Sequence, residues 1–270
     1  MAHESLAWPS NHLELMPAFD SVNLLRQLFD NRYWRVLGEK GQLNKTRVLN
    51  SLLPMPAEAF PFWDRVSRAE IDFSRGFLLG ETATAKERQR IRRRVSRIVH
   101  WQGKQRFSMK ITGPGRIEYL SSIFPDACFI NVVRDPVATV RSLMAVPFWK
   151  DLGMHRLWWQ GGYDLAEIAC FESLRNDPVA ATAFQVGKIL QSNEREARRC
   201  GAKMLTLGYE AFIADPEGQV REICAFTGLS ESPQLQAKLR QTRLHDRNHR
   251  SRRTGAGESR KILSIVEQFA

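Results

Sequence analysis

The chain has 270 residues, 43% of them hydrophobic and 10% aromatic, which is enough to bury a substantial core and excludes a disordered polypeptide. Forty lysines and arginines stand against 29 acidic residues, giving a formal charge of +11 and an isoelectric point near 9.9 that favours anionic partners and says nothing about fold. Four cysteines (Cys128, Cys170, Cys200, Cys224) without CxxC spacing suggest neither a zinc site nor a disulfide scaffold, and no apolar run approaches the ~20 residues of a membrane span.

The amino-terminal MAHESLAWPSNHLEL has neither a basic nor an apolar leader region, so the expectation is a soluble, cytoplasmic protein in a reducing compartment, with no metal. One domain is expected over residues 1–270: a mainly helical region over 1–100, an α/β core over 106–230 and a basic carboxyl-terminal segment over 240–270. No internal repeat or low-complexity linker interrupts it.

In chain order, AFDSVNLLRQLF (18–29) predicts an amphipathic helix capped by Asp20 or Ser21, with Val22, Leu25 and Leu28 or Phe29 on its apolar stripe. From Thr84 to His100, Ile91, Val95 and Ile98 form one stripe and arginines cover the rest, which reads as a solvated basic face over a core stripe ahead of a nucleic-acid surface. Then strand and helix alternate. RFSMK (106–110) reads as a strand, GRIEYLSSIF (115–124) as a helix, CFINVV (128–133) as a buried strand and PVATVRSLM (136–144) as a helix. A long helical stretch from Leu165 to about Cys200 is interrupted at Asp177-Pro178, and the strand KMLTLGY (203–209) leads to a helix with Asp215 as N-cap, Pro216 at its first position and Gly228 at its end. Alternation of this kind predicts an α/β fold in which a parallel sheet is flanked by helices.

In such sheets ligands bind beyond the carboxyl ends of the strands, where helix amino termini favour anions. Arg134 stands at that position, directly before Asp135-Pro136 and the following helix, so its guanidinium could clamp a phosphate in a bidentate fashion. Ser142, eight residues on, falls near the helix face of Asp135 and Ala138 and could add a donor. The competing reading is an Arg-Asp ion pair at a loop with a serine tucked against its own helix, and spacing alone weighs the two equally.

The string RDPVATVRS resembles the 3′-phosphate-binding element of sulfotransferases that use 3′-phosphoadenosine 5′-phosphosulfate. MKITGPGRIEYLSSIFPDACFI resembles the bacterial sulfotransferase pattern of a strand lysine, a Gly-Arg-Ile helix start and a Phe-Pro-Asp-Ala turn. LGYEAFIADPEGQVREICAFTGL is similar to that family's Tyr-Glu-Asp-Leu segment, with Ala211 and Phe212 in place of Asp-Leu. Together these cover about residues 106–230. The resemblance implies a P-loop-like fold, a nucleotide donor and a hydroxyl-bearing acceptor, carbohydrate or lipid-linked, with no metal, no specific nucleic-acid partner and no membrane span. It also implies roles: Arg134 and Ser142 on the 3′-phosphate, Tyr209 lining the nucleotide pocket, and Lys110 stabilising negative charge on the leaving phosphate or the sulfuryl oxygens. RNHRSRR, from Arg247 to Arg253, falls where the family places a loop over the nucleotide phosphates.

The family's opening strand and Ser-Gly-Thr-type loop, which cradles the 5′-phosphosulfate, is not found in the chain. The expectation is therefore either a start downstream of that element or its loss. A general base is also not fixed; Glu4, His12 and Glu14 are the candidates. Trp158 and Trp159, in FWKDLGMHRLWWQGGY, would serve a sugar acceptor only if exposed in a cleft, and otherwise belong to the core. Three functions follow: a sulfotransferase, a degenerate relative that only binds nucleotide, and a polyanion- or RNA-binding protein driven by the arginine helix.

Overall fold

The computed structural model describes residues 1–30, 53–241, 244, 246, 248 and 255–269. Its elements are β1 (Leu6–Ala7), α1 (Asn11–Leu15), a 3₁₀ turn (Asp20–Asn23), α2 (Leu24–Phe29), α3 (Phe60–Val66), α4 (Ala85–Trp101), β2 (Arg106–Phe107), α5 (Ile117–Ile123), β3 (Cys128–Val133) and α6 (Pro136–Met144). A π-helical turn (Trp149–Gly153) then leads to α7 (Leu165–Leu174), α8 (Pro178–Cys200), β4 (Lys203–Gly208), α9 (Tyr209–Ala214), α10 (Pro216–Thr227), α11 (Pro233–Gln241) and α12 (Ala256–Glu267).

The molecule is a mixed α/β structure with small parallel sheets. β1 pairs with β2, Leu6 opposite Arg106, and β3 pairs with β4 from Cys128 opposite Lys203 to Val133 opposite Gly208. The predicted single sheet is thus two parallel pairs among the described residues. RFSMK contributes only its first two residues as strand, and CFINVV is half-exposed where a buried strand was expected, with Val132 60% and Ile130 39% accessible. Accessibility alternates along β3, with Phe129 packed on the core and Ile130 and Val132 exposed, so one face is left uncovered and an unbroken apolar run is a poor guide to its depth.

The longer helices follow their signals. Thr84 opens α4 with a capping box closed by Glu87, and Ile91, Val95 and Ile98 are buried as their spacing predicts. Asp177 caps α8 with Pro178 at its first position, and Gly201 ends it in the left-handed region; Asp215, Pro216 and Gly228 do the same for α10. The predicted 18–29 helix departs from its pattern. Asp20 caps nothing; its carboxylate receives Arg94 at 2.6 Å and Arg97 at 3.4 Å, and the 3₁₀ turn buries Asn23 and α2 buries Arg26 while Leu28 stays 60% exposed. Buried Arg26 donates to Leu6 O and to Gln102, which in turn bonds Trp8 and Asn23, so a polar network took the place of the apolar stripe.

Two main cores result. In one, α3, α4 and α5 enclose Trp63 stacked 5.0 Å from Phe73, and Phe107, Met109, Ile111 and Phe129 pack against it, so β2, β3 and the segment leading from β2 share one foundation. The other joins α6, α8 and α12 through Val140, Phe184, Ile262 and Phe269. Trp159, 5% exposed, stacks near Trp149 beside Phe77 in a third, smaller cluster, which settles it as a core residue.

Candidate active site

The register of β3 on β4 decides the main geometry. Because Val133 lies opposite Gly208, the next residues, Arg134 and Tyr209, leave the two carboxyl ends side by side, and the guanidinium carbon sits 4.9 Å over the Tyr209 ring. β4 ends at Gly208, one residue short of the strand expected over 203–209, and Tyr209 instead opens α9, a helix the sequence pattern did not predict. Arg134 Nε donates to Asn248 Oδ1 at 2.8 Å, and among the described residues its two terminal nitrogens carry no hydrogen bond. A forked donor pair at a strand end is the arrangement that grips a phosphate or sulfate oxygen pair.

Two carboxylates stand close by. Asp135 accepts from Ala138 N at 2.6 Å as the N-cap of α6, and Glu210 Oε1 accepts from Asp135 N at 3.2 Å and from Asn248 Nδ2 at 2.6 Å. Burial pushes the Glu210 carboxyl up, but the Asn248 and backbone hydrogen bonds with the Arg134 charge outweigh it and hold the group below its ordinary range. The carboxylate therefore stays ionised and fixes Asn248, which fixes Arg134. Neither Asn248 nor Glu210 was singled out from sequence. Of the RNHRSRR segment only Asn248 falls within the described residues; Arg247 and residues 249–253 lie outside them.

Ser142 is exposed on α6 and makes no hydrogen bond to the Arg134 group among the described residues. Seven residues beyond Asp135 it returns to the same helix side, about 10 Å along the axis. Both could touch one large anion; they do not touch each other.

Lys110 belongs to a second constellation. Gln105 N and Arg106 N bond Ser5 O, and Ser108 N bonds Ala7 O at 2.7 Å, so the segment carrying Lys110 lies along the amino-terminal strand. The following residues hold another segment: Asn11 N bonds Met55 O and Ala57 N bonds Pro9 O, both at 2.9 Å. This brings Glu58 to Lys110, Oε1 3.1 Å from Nζ, and the Thr112 hydroxyl donates to the same oxygen. Lys110 is 65% exposed and Glu58 20%, so the pair faces solvent across a partly screened boundary. Glu58 is the carboxylate that sequence reading missed. Its stretch, PMPAEAF, carries no motif, and only the pairing of residues 9–11 with 53–57 reveals it.

The proposed general bases are not in this group. Glu4 accepts from the Ser232 hydroxyl, His12 is buried on α1, and Glu14 is exposed on the same helix. Trp158 is half-buried, covered by Arg75 at 4.6 Å on its ring and by Phe148 at 5.3 Å, so it offers no open sugar platform. Of the helix α4 arginines, Arg88, Arg90 and Arg92 donate to backbone carbonyls of Ala83, Val66 and Ile123, as a structural basic face would.

Among the described residues no cluster of three or more His, Cys, Asp or Glu could hold a metal, and no helix is long and apolar enough to cross a membrane. Comparison with curated proteins and with solved structures gave no match. A family model described as the sulfotransferase family matches residues 19–233, a span that contains Glu58, Lys110, Arg134 and Tyr209. With most of its length covered by that match, the chain belongs to the sulfotransferase family.

Proposed function

We propose that the chain is a P-loop-like sulfotransferase domain that takes its sulfuryl group from 3′-phosphoadenosine 5′-phosphosulfate and passes it to a hydroxyl acceptor. One observation carries the donor reading: Arg134 projects from the carboxyl end of β3 against Tyr209 at the end of β4, with two guanidinium nitrogens left for an anion. Arg134 binds the 3′-phosphate, Tyr209 supplies an aromatic wall, and Ser142 adds a hydroxyl from the next turns of α6.

The second constellation supplies the transfer chemistry. The acceptor oxygen bonds to sulfur as the bond from sulfur to the 5′-phosphate oxygen breaks, and the electron pair leaves with the phosphate. Lys110 meets that developing negative charge, and Glu58, 3.1 Å from it, takes the acceptor proton. The Thr112 hydroxyl on the same carboxylate oxygen fixes its direction.

One observation favours a binding-only relative. Among the described residues, Asp135 and Glu210 place two carboxylates beside Arg134, which lowers the attraction for a phosphate unless further cations join. Calorimetric titration with adenosine 3′,5′-bisphosphate separates the readings. Specific binding is expected to fall by about two to four orders of magnitude in Arg134→Ala, the loss of two charge-assisted hydrogen bonds of ~1.5–3 kcal/mol each. Equal affinity of wild type and variant removes the donor site; binding without turnover of any hydroxyl acceptor supports the binding-only relative.

A further inference from the structure

The segment between α1 and the 3₁₀ turn has an unusual surface. Within Leu15-Met16-Pro17-Ala18-Phe19, Leu15 is 71%, Met16 41% and Phe19 62% exposed, and Leu24 and Leu28 on α2 continue the exposed apolar residues along the chain at 37% and 60%. Isolated exposed leucines need no explanation, but three large apolar side chains in five residues form a patch.

The same segment is clamped to the basic helix α4. Arg94 donates to Pro17 O at 2.8 Å and to Asp20 at 2.6 Å, and Arg97, 47% exposed, shares that carboxylate. Arg93, one turn before Arg97, is exposed with no carboxylate partner among the described residues, and Arg90, one turn before Arg94, is also exposed. Among the described residues, Arg94 and Arg97 thus border the patch at Asp20, and Arg90 and Arg93 extend the same side of the helix one turn before them, against Asp20 and the exposed Glu14. The cations sit on a rigid, capping-boxed helix, and the apolar side chains project from the segment bound across it.

We propose that this surface docks the protein on an anionic lipid bilayer. Leu15, Met16 and Phe19 enter the boundary between headgroups and acyl chains while Arg93 and Arg97 meet lipid phosphates at the surface. A soluble polyanion would engage the arginines and leave the three apolar side chains in water; a bilayer satisfies both. The assignment does not depend on the sulfotransferase chemistry, since none of these residues belongs to either constellation described above.

Vesicle flotation of the full chain tests it, using phosphatidylcholine alone and equal parts phosphatidylserine and phosphatidylcholine. Capture is expected on the anionic vesicles only, weakened about fivefold by Arg93→Ala and about tenfold or more by Leu15→Ser with Phe19→Ser. Because all three positions are exposed, circular dichroism should show unchanged folding. No capture by folded wild type overturns the proposal. So does capture that the double serine variant retains in full while heparin or RNA competes it away, which would identify a general polyanion surface.

Discussion

Glu196 offers the sharpest stability test. It is fully buried on α8, and its carboxylate accepts from the backbone N–H of Glu118 at 3.0 Å and of Ile117, satisfying the start of α5, whose own N-cap residue, Arg116, provides no side-chain cap. The other oxygen has no hydrogen-bond partner among the described residues. Burial pushes the group up to about 7 from an ordinary 4.5, with Glu118 adding repulsion and Arg116 and the two amides opposing it. The folded state therefore holds the proton more tightly than the unfolded chain. Stability from this group is full below the unfolded value and is lost as pH rises through the folded one. At ~1.4 kcal/mol for each pH unit, the gap from 4.5 to about 7 corresponds to roughly 3 kcal/mol. Glu196→Gln keeps a carbonyl acceptor for both amides and removes the titration. Urea unfolding at about pH 4 and about pH 8 should show near parity at the lower value and a variant more stable by up to roughly 3 kcal/mol at the higher one. Parallel pH dependences of variant and wild type would refute the reasoning, because titrations elsewhere cancel in the difference.

Gly113 has φ +90°, and a Cβ there would lie 2.5 Å from Trp159 Nε1, so Gly113→Ala should lose about 2–4 kcal/mol in denaturant unfolding through backbone strain and overpacking; a loss under about 0.5 kcal/mol would contradict the packing of Trp159 against this turn. For the transfer step, Glu58→Gln should lower kcat about a hundredfold or more while leaving bisphosphate affinity unchanged. An unaltered kcat would take the proton from Glu58 and give it to another group.

Local signals carried well where one element determines its own fate. The Asp215-Pro216 start of α10, the Gly228 that ends it and the Ile91, Val95 and Ile98 stripe of α4 are chemistry within a few residues, and all stand where the sequence indicated. The failures are non-local. Whether CFINVV is buried depends on what covers its second face, which a run of apolar residues does not encode. Whether α2 buries Leu28 or Arg26 depends on Gln102, seventy-six residues away, which supplies the acceptor that lets a guanidinium go inside.

The site divides along the same line. Arg134 stood out locally as a charged residue between an apolar strand and a proline-started helix, a position that spacing alone left equally open to an ion pair at a loop. Tyr209 came from the family resemblance at the next strand end, and parallel pairing in register brings the two together. Glu58 and Asn248 were not legible, because each reaches the site through contacts that span long stretches of chain: Glu58 meets a lysine 52 positions later, and Asn248 meets Arg134 across 114. Both neutralise or orient a cation, and that role leaves no pattern in sequence, since any carboxylate or amide delivered to the right place would serve. The cations of the candidate site are thus easier to read than the groups that hold them. Glu210 shows the consequence, for it lies in the recognised Tyr-Glu segment, yet its hold on Asn248 and the Asp135 amide emerges only once both strands are laid side by side.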